Sequence, residues 1–257
     1  MTARRLALVI EYDGTGYAGW QRQPARPTIQ AAIEDALARV TQESGRVVGA
    51  GRTDAGVHAL GQVAHVETAS RLMPARLRDA LNAVLPADIA VREALEVAAD
   101  FHARRDARLR VYRYAILVRP RRSALLRRYA HHVGTPLDLE AMRAGARALI
   151  GRHDFAAFRV VGTSTVSTMC DVRAVRVEAR GDFVIVTVAA DRFLRQMVRR
   201  ITGTLLAVGR GDLQPDGLAA ILASRDNARA APPAPACGLY LACVFYSATR
   251  LRPGPAS

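Results

Sequence analysis

The chain has 257 residues, half of them apolar, enough to bury a core without disulfide or metal staples, so disordered and collagen-like architectures are excluded. Arginine supplies all 37 basic residues against 23 acidic ones, for a formal charge of +14, and lysine is absent. Walker-type nucleotide hydrolases and pyridoxal phosphate enzymes are therefore excluded, because both need a lysine.

In chain order, residues 5–12 read as an apolar, partly β-branched strand followed by the loop Gly14-Thr15-Gly16-Tyr17-Ala18-Gly19-Trp20. A helix starts after Pro27, with Thr28 as N-cap and Ile29, Ile33, Leu37 and Val40 at three- and four-residue spacing. A short strand at 46–50, a glycine-punctuated loop at 51–61, a strand at 62–68, a helix after Pro74 to about Val84 and a strand at 89–97 follow. The second half repeats that order: strand 109–118, helix 138–150, strands 171–179 and 183–190 around Gly181-Asp182, helix 194–209 and strand 239–246. A helix at 216–223 and the stiff Pro232-Pro233-Ala234-Pro235 segment are insertions.

Each half matches a βαββαβ, ferredoxin-like or RRM-like module. The expected fold is α+β: subdomains at 1–105 and 106–257 that form one continuous antiparallel sheet with a basic central cleft. In the helix from Leu194, residues 194, 197, 198, 201, 205 and 208 form an apolar stripe. Arg195, Arg199 and Thr202 lie on its flank, which leaves the two arginines to face a groove.

A guanidinium surplus of this size fits a polyanion, since arginine binds phosphate in bidentate fashion and stacks on bases. Nucleic acid is favoured over an anionic membrane because no amphipathic basic helix stands out. Ten arginines fall between Arg104 and Arg128 with only Asp106 opposing them. In the strand there, Arg108, Arg110, Tyr112 and Tyr114 share one face, a surface suited to gripping phosphates and stacking bases. The apolar residues Leu109, Val111, Ala115 and Leu117 share the other face with Arg113.

Carboxylates are scarce in loops, which singles out Gly51-Arg52-Thr53-Asp54-Ala55-Gly56-Val57-His58. Asp54 sits between glycines that permit close approach of a backbone or substrate, and Arg52 falls on the same side of an extended segment, where it would hold the carboxylate ionised. A local ion pair in an Asx-type turn is the competing reading. The six histidines show no ligand spacing, so no metal is expected, and Gly14-Thr15-Gly16 lacks the third glycine of a dinucleotide site. Cys170, Cys237 and Cys243 form no CxxC pair and read as inert thiols of a reducing compartment. Leu6-Ala7-Leu8-Val9-Ile10 is cut by Glu11 and Asp13, and no stretch approaches the ~20 residues of a membrane span, so a cytoplasmic protein is expected.

Six motifs in order resemble the tRNA pseudouridine synthase A (TruA) family along nearly the whole chain. They are Glu11-Tyr12-Asp13-Gly14-Thr15 with Gly19-Trp20-Gln21-Arg22-Gln23, the Asp54 segment, Phe101-His102-Ala103-Arg104, Tyr112-Arg113-Tyr114, Phe193-Leu194 with Met197-Val198-Arg199, and Gly238-Leu239-Tyr240-Leu241. The resemblance implies a cofactor-free isomerase that converts uridine to pseudouridine at tRNA positions 38, 39 and 40 of the anticodon arm. It also implies a homodimer. By the same resemblance Asp54 is the nucleophile, Arg52 its ion-pair partner, Tyr112 the aromatic that stacks on the target base, and Arg199 a further substrate arginine. Val111 stands where the family has a basic residue. Two other functions fit the residues: a non-catalytic RRM-like RNA-binding protein, and a hydrolase that uses Asp54 to release bases.

Overall fold

The computed structural model describes residues 3–160 and 167–247. Among the described residues, ten strands and five α-helices make a mixed α+β protein whose strand pairing is mostly antiparallel. The chain divides into two compact units, Met1–Leu109 with Leu241–Ser257, and Arg110–Tyr240.

In the first unit, β1 (Arg4–Tyr12) runs between two later strands, and Leu6, Ala7, Leu8 and Ile10 are fully buried in it. Helix α1 (Ile29–Thr41) begins where expected: the Thr28 hydroxyl accepts from the Ala31 amide at 3.3 Å, and Ile29, Ile33 and Leu37 face inward. The expected strand at 46–50 shrinks to β2 (Val48–Gly49), while the next strand, β3 (His58–Thr68), starts four residues early. The glycine loop therefore ends at Val57, because pairing of Tyr12 with Ala59 across a bulge in β3, where Leu60 and Gly61 oppose Glu11, carries the ladder further back than hydropathy shows. Helix α2 (Pro74–Val84), with Pro74 in its first turn, and β4 (Ile89–Val97) match their expected bounds. Asn82 ties them by donating to the Val91 carbonyl and accepting from its amide, both at 2.8 Å. The strand order is β4-β1-β3, with β2 also on β3.

In the second unit, β5 (Leu109–Val118) carries the short parallel strand β6 (His131–Val133), which is too polar to stand out in the sequence. Helix α3 (Leu139–Arg147) ends three residues short of the expected 150. Gly151, at φ +115°, turns the chain into the equally cryptic β7 (Gly151–Asp154). β8 (Met169–Arg180) and β9 (Phe183–Ala190) form the expected hairpin, and the order is β5-β9-β8-β7. Helix α4 (Met197–Gly209) starts after Gln196, whose φ of +61° separates Leu194 and Arg195 from the helix. Its anticipated apolar stripe is buried throughout. Helix α5 (Gly217–Ser224) follows in this unit, and the last described strand, β10 (Leu239–Phe245), belongs from Leu241 onward to the first unit, where it lies next to β3.

Candidate active site

Asp54 lies in the 50–57 loop between β2 and β3, and its neighbours are fixed through main-chain carbonyls and amides and through the Thr53 hydroxyl. The Gln62 amide nitrogen donates to the Gly51 carbonyl at 2.7 Å, and the Tyr12 hydroxyl meets the Thr53 hydroxyl at 2.8 Å. The Trp20 amide donates to the Thr53 carbonyl at 3.1 Å, and the Val57 amide closes a turn onto the Asp54 carbonyl at 3.2 Å. Thr53, Val57 and His58 are buried, Asp54 is half-buried, and Arg52 and Ala55 are exposed. A carboxylate reachable from solvent thus stands on a rigid main chain, the preorganisation that a reacting group needs.

Close backbone approach is made possible chiefly by the glycines of the 14–20 loop. A Cβ on Gly14 would fall 2.0 Å from the Val57 carbonyl oxygen. One on Gly19 would fall 2.6 Å from that of Thr53, at a φ of +103° that side chains disfavour. The far side of this loop is seated on α1: Ile29 and Gln30 amides donate to the Gly19 and Trp20 carbonyls. The Arg22 guanidinium pairs with Glu34 at 2.7 Å and Asp35 at 2.8 Å. Gln30, also buried, accepts from the Arg22 amide and donates to Glu34 and the Val47 carbonyl.

Three supporting residues carry no sequence signal of this role. Tyr12 is buried, which pushes its phenol up to about 12 despite hydrogen bonds with Thr53 and Gln62, so it stays a neutral hydroxyl. Gln62 is fully buried below the loop. His58 accepts from the Gly14 amide on Nδ1 at 3.1 Å, which places its ring proton on Nε2. The Asp13 carboxylate oxygen, also 3.1 Å from Nδ1, instead accepts from the Thr15 amide and hydroxyl.

Tyr112 and Arg199 belong to the second unit. Tyr112 is 7% exposed, with Phe193 edge-on at 4.9 Å. Tyr114 is fully buried and donates to the Pro235 carbonyl at 2.7 Å, and Arg110, also buried, donates to that of Asp191. Arg110, Tyr112 and Tyr114 of the arginine–tyrosine face are therefore turned inward, the reverse of the open platform expected, while Arg108 just ahead of β5 and Arg113 on the other face are exposed. Burial of two aromatic rings outweighs that of Val111 and Ala115, and carbonyl partners satisfy the polar ends. The α4 flank is corrected too: Thr202 is fully buried and donates to the Val198 carbonyl. Arg199 is half-buried, its Nε donating to the Ala234 carbonyl at 2.7 Å.

Among the described residues no group of three or more histidine, cysteine or acidic side chains could hold a metal, and no helix is long and apolar enough to cross a membrane. Burial pushes the Cys170 thiol up to about 12, and Cys237 is raised for the same reason, so neither is a ready nucleophile.

A model described as tRNA pseudouridine synthase matches residues 8–106, which carry the Asp54 loop, and residues 146–247. A protein of Syntrophotalea carbinolica called tRNA pseudouridine synthase A is 48% identical over 240 residues, 93% of this chain and 95% of that protein. Proteins of the same name from Methylococcus capsulatus and a Thermoanaerobacter species are 47% and 43% identical, over 94% and 95% of this chain and 89% and 100% of their own lengths. With motifs, loop architecture and whole-length similarity in agreement, the chain belongs to the tRNA pseudouridine synthase family.

Proposed function

We propose that this chain isomerises uridine to pseudouridine in tRNA, with Asp54 as the essential carboxylate. Family membership and the shared name of the relatives support the reaction and the substrate class. The observation that carries the residue assignment is the half-buried Asp54 side chain on a loop pinned at Gly51, Thr53 and Val57.

In the reaction the bond from ribose C1′ to N1 breaks, the base turns, and C1′ bonds to C5. The C5 hydrogen leaves as a proton and N1 gains one. Water is not consumed, so a single carboxylate suffices, unlike the acid and base pair of glycoside hydrolases. Addition of the carboxylate to C1′ or C6, and removal of a ribose proton, all fit this balance. The target base must first leave its stack, at a cost of a few kcal/mol.

Arg52 is assigned as ion-pair partner of Asp54, Tyr112 as the ring that stacks on the base, worth about 1 to 3 kcal/mol, and Arg199 as a further substrate contact. The anticodon arm, positions 38 to 40, a homodimer and a cytoplasmic location follow by the same family reading. The subdomains at 1–105 and 106–257 are read as ferredoxin-like. The order β4-β1-β3 with β2 on β3, and β5-β9-β8 in the second unit, support that reading.

Release of tritium from tRNA labelled at uridine C5 tests the assignment. The protein releases tritium, and Asp54→Asn binds tRNA but releases none. Equal turnover by that variant refutes the role of Asp54, and RNA binding without pseudouridine in a nucleoside digest refutes the activity.

A further inference from the structure

The family match leaves out residues 107–145, and within that gap lies the densest arginine cluster of the second unit. The 119–129 segment between β5 and β6 carries Arg119, Arg121, Arg122, Arg127 and Arg128, and no acidic residue occurs from 107 to 137. The last four of these arginines are exposed.

The loop is folded rather than slack. At its base the Arg119 amide donates to the Val133 carbonyl, and His132 Nε2 donates to that of Arg119 at 2.8 Å. Arg119 Nε donates to the Arg121 carbonyl at 2.9 Å, and the Ser123 hydroxyl accepts from the Leu126 amide at 3.1 Å. A short turn at Leu126–Arg128 follows, where an Arg127 guanidinium nitrogen donates to the Ala124 carbonyl at 2.6 Å. The Tyr240 hydroxyl closes the far end on the Tyr129 carbonyl at 2.6 Å. An open hollow of about 520 Å³ is lined by Arg121, Arg122 and Ala124.

Clustering sets this loop apart, since five arginines fall within ten residues with no acid among them, whereas some arginines elsewhere are neutralised locally. Arg78, Arg143 and Arg173 each pair with a carboxylate, of Asp79, Glu140 and Asp171. Among the described residues, Arg121, Arg122 and Arg127 have no such partner. Asp182 lies at the loop's base, 3.9 Å from Arg119, so the three exposed guanidinium groups farther along the ordered loop sustain a positive potential that an external anion can neutralise. Their planar forks suit phosphate oxygens.

We propose that the 119–129 loop is a phosphate-binding surface for the tRNA backbone, one that contributes affinity without taking part in the chemistry. This rests on the reading of tRNA as substrate. RNA fits better than a lipid surface because Leu125, 84% exposed, and the less exposed ring of Tyr129 are the large hydrophobic side chains that the loop presents, and it has no amphipathic helix to insert.

The test compares two triple variants of equal charge change. In the first, Arg121, Arg122 and Arg127 become Gln. In the second, the paired Arg78, Arg143 and Arg173 become Gln. Dissociation constants for unmodified tRNA are measured from 0.05 to 0.5 M salt, and turnover by tritium release at saturating tRNA. Each lost phosphate contact lowers the slope of log Kd against log salt by about 0.7 to 0.9. The first variant should therefore lose about 2 to 3 from the slope and bind on the order of a hundredfold more weakly near 0.15 M salt. Its kcat should be unchanged, and its melting temperature reports folding. An unaltered slope, or an equal loss in the second variant, overturns the proposal. Lost binding to anionic phospholipid vesicles with unchanged tRNA affinity overturns it in favour of a membrane surface. Because binding and turnover are read separately, a protein that binds tRNA through this loop but forms no pseudouridine overturns the activity and leaves the loop assignment standing.

Discussion

Substituting Gly14 by Ala tests whether backbone contact between the 14–20 and 50–57 loops positions Asp54. The added methyl carbon would stand 2.0 Å from the Val57 carbonyl oxygen and 2.7 Å from its carbon. Ordinary carbon–oxygen contact needs more than 3 Å, so one loop must retreat by about 1 Å, and both atoms met are backbone. Displacement on that scale at a reacting group costs about a hundredfold in rate, and overpacking costs about 1 to 3 kcal/mol of stability. Gly16→Ala is the matched control, since nothing lies within 4 Å of its Cβ position. That variant should keep full activity, with stability unchanged or raised by up to about 1 kcal/mol through a less flexible unfolded chain. The assay is kcat/KM for tritium release beside urea unfolding. If Gly14→Ala turns over like the unaltered protein while folding normally, the close approach does not position the carboxylate.

Tyr12→Phe should destabilise the fold by about 1 to 3 kcal/mol, because it strips the Thr53 hydroxyl of its buried partner; urea unfolding checks this. Thr28→Ala removes the cap of α1 and should cost about 1 kcal/mol, read from the shift in urea midpoint. His65 is buried beside His102 and Arg5, and burial first, then those charges, holds its pKa near 4 against the usual 6.5. The unfolded chain therefore takes up a proton that the folded one refuses. This contribution is intact above about pH 6.5 and lost as pH falls toward 4, at up to about 1.4 kcal/mol per unit. Unfolding free energies at pH 7.5 and 5.0 should converge in His65→Asn relative to the unaltered protein, and an equal pH slope in both would refute the role of His65.

Elements with a long apolar period were legible: α2 and β4 fall on their expected bounds, and α1 begins behind its Thr28 cap. The strands β6 and β7 were not, because His131-His132-Val133 and Gly151-Arg152-His153-Asp154 pair without any apolar alternation. The burial of β5 is the opposite of what its alternation predicts: a tyrosine is both ring and hydroxyl, and alternation alone does not say whether Pro235 will be there to accept from Tyr114. At the candidate site the loop and its acid were conspicuous from glycine spacing and scarcity of charge. Its supports were not, since Tyr12 and Gln62 lie 42 and 8 residues from Asp54 and meet the loop only through the bulged β1–β3 ladder.

Ala55, exposed at the outer turn of the Asp54 loop, supplies none of the hydrogen bonds described above that hold that loop in place. Because its methyl group faces solvent beside the carboxylate, efforts to redirect the enzyme toward a different RNA partner should begin at this position.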